Sequence, residues 1–317
     1  MIQLPPWLEP LAGLLASGSA RCPQALLIHG APGSGRRLLA LTHAARLLGI
    51  PAERLRRLAQ PGTGEDAGAG MMGHPDFVFL QPPPEKSSIA VEAVRELVDF
   101  LHLKSHQGGA RIAVICPADA MTTAAANGLL KTLEEPPAGS FIMLVASRPA
   151  SLPATIVSRC QRLAIPTPKR DIAVAWLRAQ GGEADWDLLL DVAGGAPLQA
   201  LALHREDFAA QATRLADDIR QLESGHASPV TVAQRWGGHD APLLTQWLYR
   251  LLAGAIRARA AAAPATARDA PLQTGGKPLT MQALQQRLAD VEELRRMGSK
   301  AIRMDIQYAA LLQRWYA

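Results

Sequence analysis

The feature that most constrains the fold of this chain is a glycine-rich loop between a short apolar run and a helical pattern. The run ALLIH at 25–29 is typical of a buried strand, the loop GAPGSGRR follows at 30–37, and LLALTHAARLL continues as a helix. Gly30, Gly33 and Gly35 match the phosphate-loop spacing GxxxxGK followed by Ser or Thr, in the strand, loop and helix context that this motif requires. The frame predicts a P-loop-type α/β domain.

The same loop lacks the groups that an active ATPase needs. Arg36 replaces the lysine that reaches the β and γ phosphates, and Arg37 replaces the hydroxyl ligand of magnesium. The predicted third strand ends in Cys116-Pro117 instead of the acidic pair that holds magnesium and activates water. Arg36 can still pair with phosphate oxygens, so weak binding stays open, but we expect no bound nucleotide and no metal.

An alternative interpretation keeps the chain as an atypical active ATPase. Arg36 and Asp119 would then take over the roles of the usual groups. Asp119 falls beyond the strand end where the metal would sit, and we therefore expect it to be a solvated turn or helix-cap residue.

Short apolar runs alternate with helical patterns through the first half of the chain. Further strands are predicted at 77–80, 111–116, 141–146 and 161–165, and helices over 89–103 and 127–133. This alternation predicts an α/β fold with a parallel, doubly wound sheet. A lid of two or three short helices with a turn at 194–195 follows, and long amphipathic helices, one opened by Thr280, end the chain. The predicted domains are 1–166, 167–207 and 208–317.

Composition and charge exclude several classes of protein. A stand-alone DNA-binding protein is a third hypothesis, and the net charge of +5 is the feature that supports it. Basic and acidic residues are mixed along the chain, and no run of basic residues adds to that support. Three scattered cysteines without a CxxC pair indicate neither disulfides nor zinc. No apolar run could span a membrane, and the expected location is cytoplasmic. The stretches 60–73 and 261–276 are predicted loops.

Two further segments are distinctive: NGLLKTLEEPP at 127–137 and LPATIVSRCQRL at 152–163. With the degenerate loop they resemble subunits of the bacterial clamp loader, a branch of the AAA+ ATPases. Among these the chain most resembles the delta-prime family, because the motor subunits retain the lysine and the acidic pair. The similarity extends along the whole chain, is strong in the first half, and is weak in the last third.

The resemblance implies a function in DNA replication. It implies an AAA+ domain, a helical lid and a C-terminal collar in a ring with the tau/gamma motor subunits and the delta subunit. That ring opens the sliding β-clamp and places it on primed DNA. The resemblance further implies that Ser158, Arg159 and Cys160 project into a neighbour's nucleotide site, with Arg159 as a trans-acting arginine finger.

Simpler roles remain open for the same residues. Arg159 as an ordinary surface arginine would be solvated or form a salt bridge. Lys131, Glu134 and Glu135 are interpreted as the polar face of a helix, with a minor DNA contact through Lys131 as the alternative. The four-cysteine zinc module that many delta-prime relatives carry after the phosphate-loop helix is not expected, since 48–74 has no cysteine.

Overall fold

Five parallel strands form the sheet of a computed structural model that describes residues 4–17, 23–58, 74–106, 108–260, 273–274, 277–297 and 303–316. The strand order is β2-β3-β4-β1-β5. The strands are β1 (Ala25–His29), β2 (Phe77–Leu80), β3 (Arg111–Ile115), β4 (Ser140–Ala146) and β5 (Gln161–Ala164). The predicted parallel α/β sheet is confirmed, and each strand lies within one residue of its predicted bounds.

Strand β1 lies in the interior of this sheet, between β4 and β5. Leu27 pairs with Leu144 on one side and with Arg162 on the other. Strands β1 to β4 are almost wholly buried, as expected for short apolar strands covered by helices on both faces. The loop after β1 therefore opens at the carboxyl edge of the sheet, where ligands bind in such folds.

Seven helices accompany the sheet in the described part of this region. They are α1 (Glu9–Ser17), α2 (Arg36–Leu47), α3 (Ala52–Leu58), α4 (Val91–His102), α5 (Thr123–Glu134), α6 (Ala154–Val157) and α7 (Arg170–Gly181). Helix α5 begins earlier than predicted because Thr122 caps it, accepting a hydrogen bond from the Ala125 N–H at 3.1 Å. It ends before Pro136 and Pro137, as predicted.

The chain divides into two compact units, 1–182 with 195–199, and 183–194 with 200–317. The remaining elements are α8 (Trp186–Val192), α9 (Pro197–Arg205), α10 (Phe208–Glu223), α11 (Pro229–Trp236), α12 (Ala241–Ala260), β6 (Gln273–Thr274), β7 (Lys277–Pro278), α13 (Met281–Met297) and α14 (Met304–Tyr316). Three short helices, α7 to α9, and the predicted turn at 194–195 are present. The predicted domain boundaries stay predictions, since a division into two units does not test a division into three.

Buried polar pairs fix the helices of the second unit. Asp218 on α10 accepts a hydrogen bond from the Trp236 indole N–H at 2.9 Å. Asp290 on α13 receives the Trp315 indole N–H and the Arg314 guanidinium, each at 2.9 Å. Thr280 caps α13 as predicted, accepting from the Ala283 N–H at 3.2 Å. Satisfied polar groups in an apolar interior favour one helix register over others.

The two predicted loops lie mostly outside the residues that the structure describes. The predicted loop 60–73 lies outside the described residues, and so does 261–276 apart from Gln273–Thr274, which pairs with Lys277–Pro278. Among the described helices, none combines the length and the apolar character needed to cross a membrane.

Candidate functional site

The phosphate loop connects β1 to α2, and its glycines are required by local geometry. Gly33 and Gly35 have φ angles of 76° and 103°, in the left-handed region that side-chain-bearing residues rarely adopt. A Cβ atom at Gly30 would lie 2.8 Å from the carbonyl oxygen of Ile165, the residue after β5. The glycine spacing predicted from the sequence therefore matches a loop whose backbone requires glycine at these three positions.

The chain itself packs against this loop from two directions. The Trp7 indole N–H donates to the Ser34 carbonyl oxygen at 2.9 Å, and the Leu198 N–H donates to the Gly33 carbonyl oxygen at 3.1 Å. A Cβ at Gly33 would lie 2.5 Å from Cβ of Gln199, and one at Gly35 would lie 2.6 Å from Cδ1 of Leu8. A phosphate therefore has no room on the sides of Gly33 and Gly35 that these residues cover.

Nothing in the sequence pattern predicts these contacts. The pattern predicts two or three short helices between 171 and about 203, with a turn at 194–195, and gives no reason to place Leu198 against a loop far away in sequence. The local signals at 195–199, a glycine and a proline before a helix, describe only the conformation of that segment.

Two partly buried arginines, Arg36 and Arg37, lie at the start of α2. Burial lowers the pKa of both Arg36 and Arg37, and the Arg37 guanidinium lies 4.7 Å from the centre of the Phe79 ring on β2. Burial also raises the pKa of the Cys116 thiol at the end of β3, an effect that the two arginines oppose. Two fixed positive charges and a neutral thiol therefore stand where magnesium would need oxygen ligands, and the cations repel a divalent metal.

Three buried polar atoms beside the loop have no hydrogen-bond partner within the described residues. They are Oγ of Ser34, Nη1 of Arg36 and Oδ1 of Asp119. Asp119 lies in a 3-10 turn, as predicted, but the prediction that it is solvated is wrong, since Oδ1 is buried and its other oxygen accepts the Ser147 N–H at 3.3 Å. Helix α2 also begins without a side-chain cap. Unpartnered buried groups are uncommon in proteins. The Ser34 hydroxyl and the Arg36 guanidinium could each donate to an anion, whereas the Asp119 oxygen would repel one.

The second candidate site is the segment between α6 and β5. Ser158 is exposed, Arg159 is partly exposed, and Cys160 is buried. Burial raises the pKa of the Cys160 thiol to about 11, so it is protonated at neutral pH and has little nucleophilic character. The Cys160 side chain is therefore a packed thiol.

Arg159 forms an ion pair within its own chain. Its Nε donates to Oε1 of Glu134 at 2.7 Å, its Nη2 also contacts that oxygen, and its Nη1 donates to the Thr155 carbonyl oxygen at 2.9 Å. The salt-bridge interpretation thus describes the isolated chain, and the finger role stays a prediction. Glu134, which the sequence analysis assigned to a plain polar helix face, is the partner.

The two candidate sites are built from different parts of the first unit. The hydrogen bonds that the structure gives to the Arg159 side chain go to residues 134, 155 and 158 rather than to the loop at 30–37. Within the described ranges, no group of three or more His, Cys, Asp or Glu side chains is placed to hold a metal ion. The question of a zinc module concerns 48–74, of which 59–73 lies outside the described residues.

A five-stranded parallel sheet with a phosphate-type loop after its first strand, followed by C-terminal helices, defines this protein as one of the AAA+ P-loop type. Comparison with solved structures agrees on the fold. The gamma subunit-related protein of DNA polymerase III from Thermotoga maritima matches with a TM-score of 0.52 and 16% identity over 98% of both chains.

Comparison with known sequences places the chain more narrowly. A family model described as DNA polymerase III, delta subunit, matches residues 12–169. The delta-prime subunit of Pseudomonas aeruginosa DNA polymerase III is 33% identical over 81% of this chain and 78% of its own length. The Escherichia coli K12 delta-prime subunit is 34% identical over 84% and 80%. The chain belongs to the family of DNA polymerase III delta-prime subunits.

Proposed function

We propose that this chain is a clamp-loader subunit that does not hydrolyse ATP itself and that supplies Arg159 to the nucleotide site of a neighbouring ATPase subunit. The observation that carries the first half is the phosphate loop against which Trp7, Leu8, Leu198 and Gln199 pack. Such a loop, with two arginines in place of its working residues, is suited to a structural role.

The partners follow from the family. Relatives at more than 30% identity are named as delta-prime subunits of DNA polymerase III, and part of the chain is 31% identical to the tau/gamma subunit of Haemophilus influenzae over 154 residues. We propose that the chain assembles with tau/gamma motor subunits and a delta subunit. The assembly would load the sliding β-clamp onto primed DNA.

The second half of the proposal rests on what the 158–160 segment presents at its surface. The Arg159 side chain is 32% exposed, whereas Cys160 next to it is buried. A guanidinium carries a permanent charge and a planar fork of N–H donors that matches phosphate oxygens. Supplied in trans to a γ-phosphate, such a group accelerates hydrolysis by about a thousandfold or more.

The test is a reconstituted complex of motor subunits, delta and this chain, assayed for clamp loading and ATP hydrolysis. We expect Arg159→Ala to lower the clamp-loading rate by about tenfold or more while the complex still assembles. Arg162→Ala, which removes an exposed arginine three residues further on, is the matched control and should stay near the wild-type rate. Equal rates for wild type and Arg159→Ala would refute the finger role.

The atypical ATPase is a second candidate, favoured by the unpartnered atoms of Ser34, Arg36 and Asp119. It predicts magnesium-dependent nucleotide binding by the isolated chain that disappears in Arg36→Ala. Calorimetric titration with ATP and magnesium distinguishes the two. We expect no such binding, and binding that depends on Arg36 would favour this second function over the first.

A further inference from the structure

We propose that Glu134 is a positioning residue for Arg159: the carboxylate at the end of α5 holds the guanidinium in the orientation in which it meets a neighbouring subunit. This inference rests on the proposed function, since it concerns how the finger is held. The residue comes from the LEEPP part of the helix motif, to which the sequence analysis gave no role beyond a polar helix face.

The contacts hold the guanidinium from two sides. On one side Nε and Nη2 both donate to the same Glu134 oxygen, and on the other Nη1 donates to the Thr155 carbonyl at 2.9 Å and lies 3.4 Å from Oγ of Ser158. These four contacts engage most of the five N–H donors of the group. A long, flexible side chain is thereby restricted to few rotamers without being buried.

The position of Glu134 within its helix also calls for a partner. It is the last residue of α5, where the backbone carbonyls carry partial negative charge and an acidic side chain is unfavourable. A cation beside it offsets that repulsion. Because both side chains are partly solvent-exposed, at 32% and 48%, the pair contributes little to folding stability, and its structural consequence is the direction of Arg159.

Orientation of this kind matters for a group that acts on a transition state. A finger that already points correctly loses less conformational freedom when it meets the phosphate. The carboxylate joins α5 to the segment before β5, elements 25 residues apart in sequence, so the finger is fixed to the domain and not only to its own loop. Without Glu134 the guanidinium would sample other rotamers, and a smaller fraction of subunits would present it productively.

The test is a double-mutant cycle in the reconstituted complex, with Glu134→Gln, Arg159→Ala and both together. We expect Glu134→Gln to lower the catalytic rate about fivefold to tenfold with an unchanged KM for ATP. It should have no further effect in the Arg159→Ala background. Glu135→Gln removes the same charge from the next, exposed residue and should leave the rate unchanged.

The outcomes separate this inference from the proposed function. If Arg159→Ala slows the reaction and Glu134→Gln does not, the finger stands and the positioning role is wrong. A faster rate in Glu134→Gln would also overturn it, because the contact would then restrain the finger. If Arg159→Ala has no effect, the proposed function fails and the positioning role with it.

A spectroscopic measurement on the isolated full chain tests the contact without any partner. The Arg159 Nε–H proton, observed by NMR, should exchange slowly with water in the wild type and in Glu135→Gln. It should exchange rapidly in Glu134→Gln. Rapid exchange in the wild type would show that the ion pair does not hold the guanidinium, and would overturn the proposal whatever the complex does.

Discussion

The phosphate loop and the segment 158–160 belong to the same unit but differ in what they present to other molecules. At the loop, Gly33 and Gly35 are in contact with residues from other parts of the chain, and Nη1 of Arg36 is buried without a hydrogen-bond partner among the described residues. In the 158–160 segment the thiol is packed inside and the guanidinium is partly exposed at the surface. The loop is covered by its own chain, whereas the 158–160 segment presents a charged group at the surface.

Under the proposed function, this difference would let a chain with an ATPase fold serve an ATPase assembly without hydrolysing ATP itself. The backbone angles and close contacts of the glycine loop belong to the fold around it, whether or not phosphate binds. The Arg159 guanidinium is paired with Glu134 and partly exposed, and it is the group that the proposed function brings to another molecule. Each of the following predictions tests this difference between the two regions.

The largest expected effect tests whether the loop is packed against 198–199 in solution. Gly33→Ala should lower the free energy of unfolding by about 3 kcal/mol, because the added Cβ would meet the backbone and Cβ of Gln199 as well as adopting a strained φ. Gly49→Ala, at a φ of 67° with nothing within 4 Å, should lose only about 1 kcal/mol from backbone strain. Urea denaturation measures both, and equal losses would mean that the loop is uncovered.

The next effect concerns the packed thiol of the outward-facing segment. In a variant with Cys22→Ser and Cys116→Ser, Cys160 should react with iodoacetamide at neutral pH about a hundredfold more slowly than a free thiol. A pKa near 11 instead of 9.0 leaves that much less thiolate, and burial slows access further. Mass spectrometry gives the rate, with glutathione as the reference. Reaction at the glutathione rate would mean that the whole segment, and not Arg159 alone, is accessible.

The smallest effect lies in the helix that follows the phosphate loop. Burial lowers the pKa of His43 to about 4 from 6.5, so between these values the unfolded state binds more protons and stability falls as the pH falls. We expect a loss of about 2 kcal/mol between about pH 7 and about pH 5, much reduced in His43→Gln. Denaturation at the two pH values measures it. His102→Gln, at an exposed histidine, should retain the wild-type pH dependence.

Much of the first unit could be predicted because its signals are local. Strands β1 to β4 are short apolar runs bounded by turn or helix signals, whereas β5 is largely exposed. The glycine spacing identified the loop after β1. The start of α5 was placed too late, because the prediction followed the motif from Asn127 and did not use the Thr122 cap upstream. Where the start or end of an element depends on residues close by in sequence, the sequence pattern contains enough information to predict it.

The parallel sheet, the glycine loop, the replacement of its lysine and magnesium ligands, and the family resemblance can all be recognised in the amino-acid sequence. The contacts of Leu198 and Gln199 with the loop, and of Glu134 with Arg159, became visible only in the folded chain. Periodicity and spacing specify backbone conformation and which face of an element is buried. They do not specify which distant residues meet, because that depends on how the finished elements pack together.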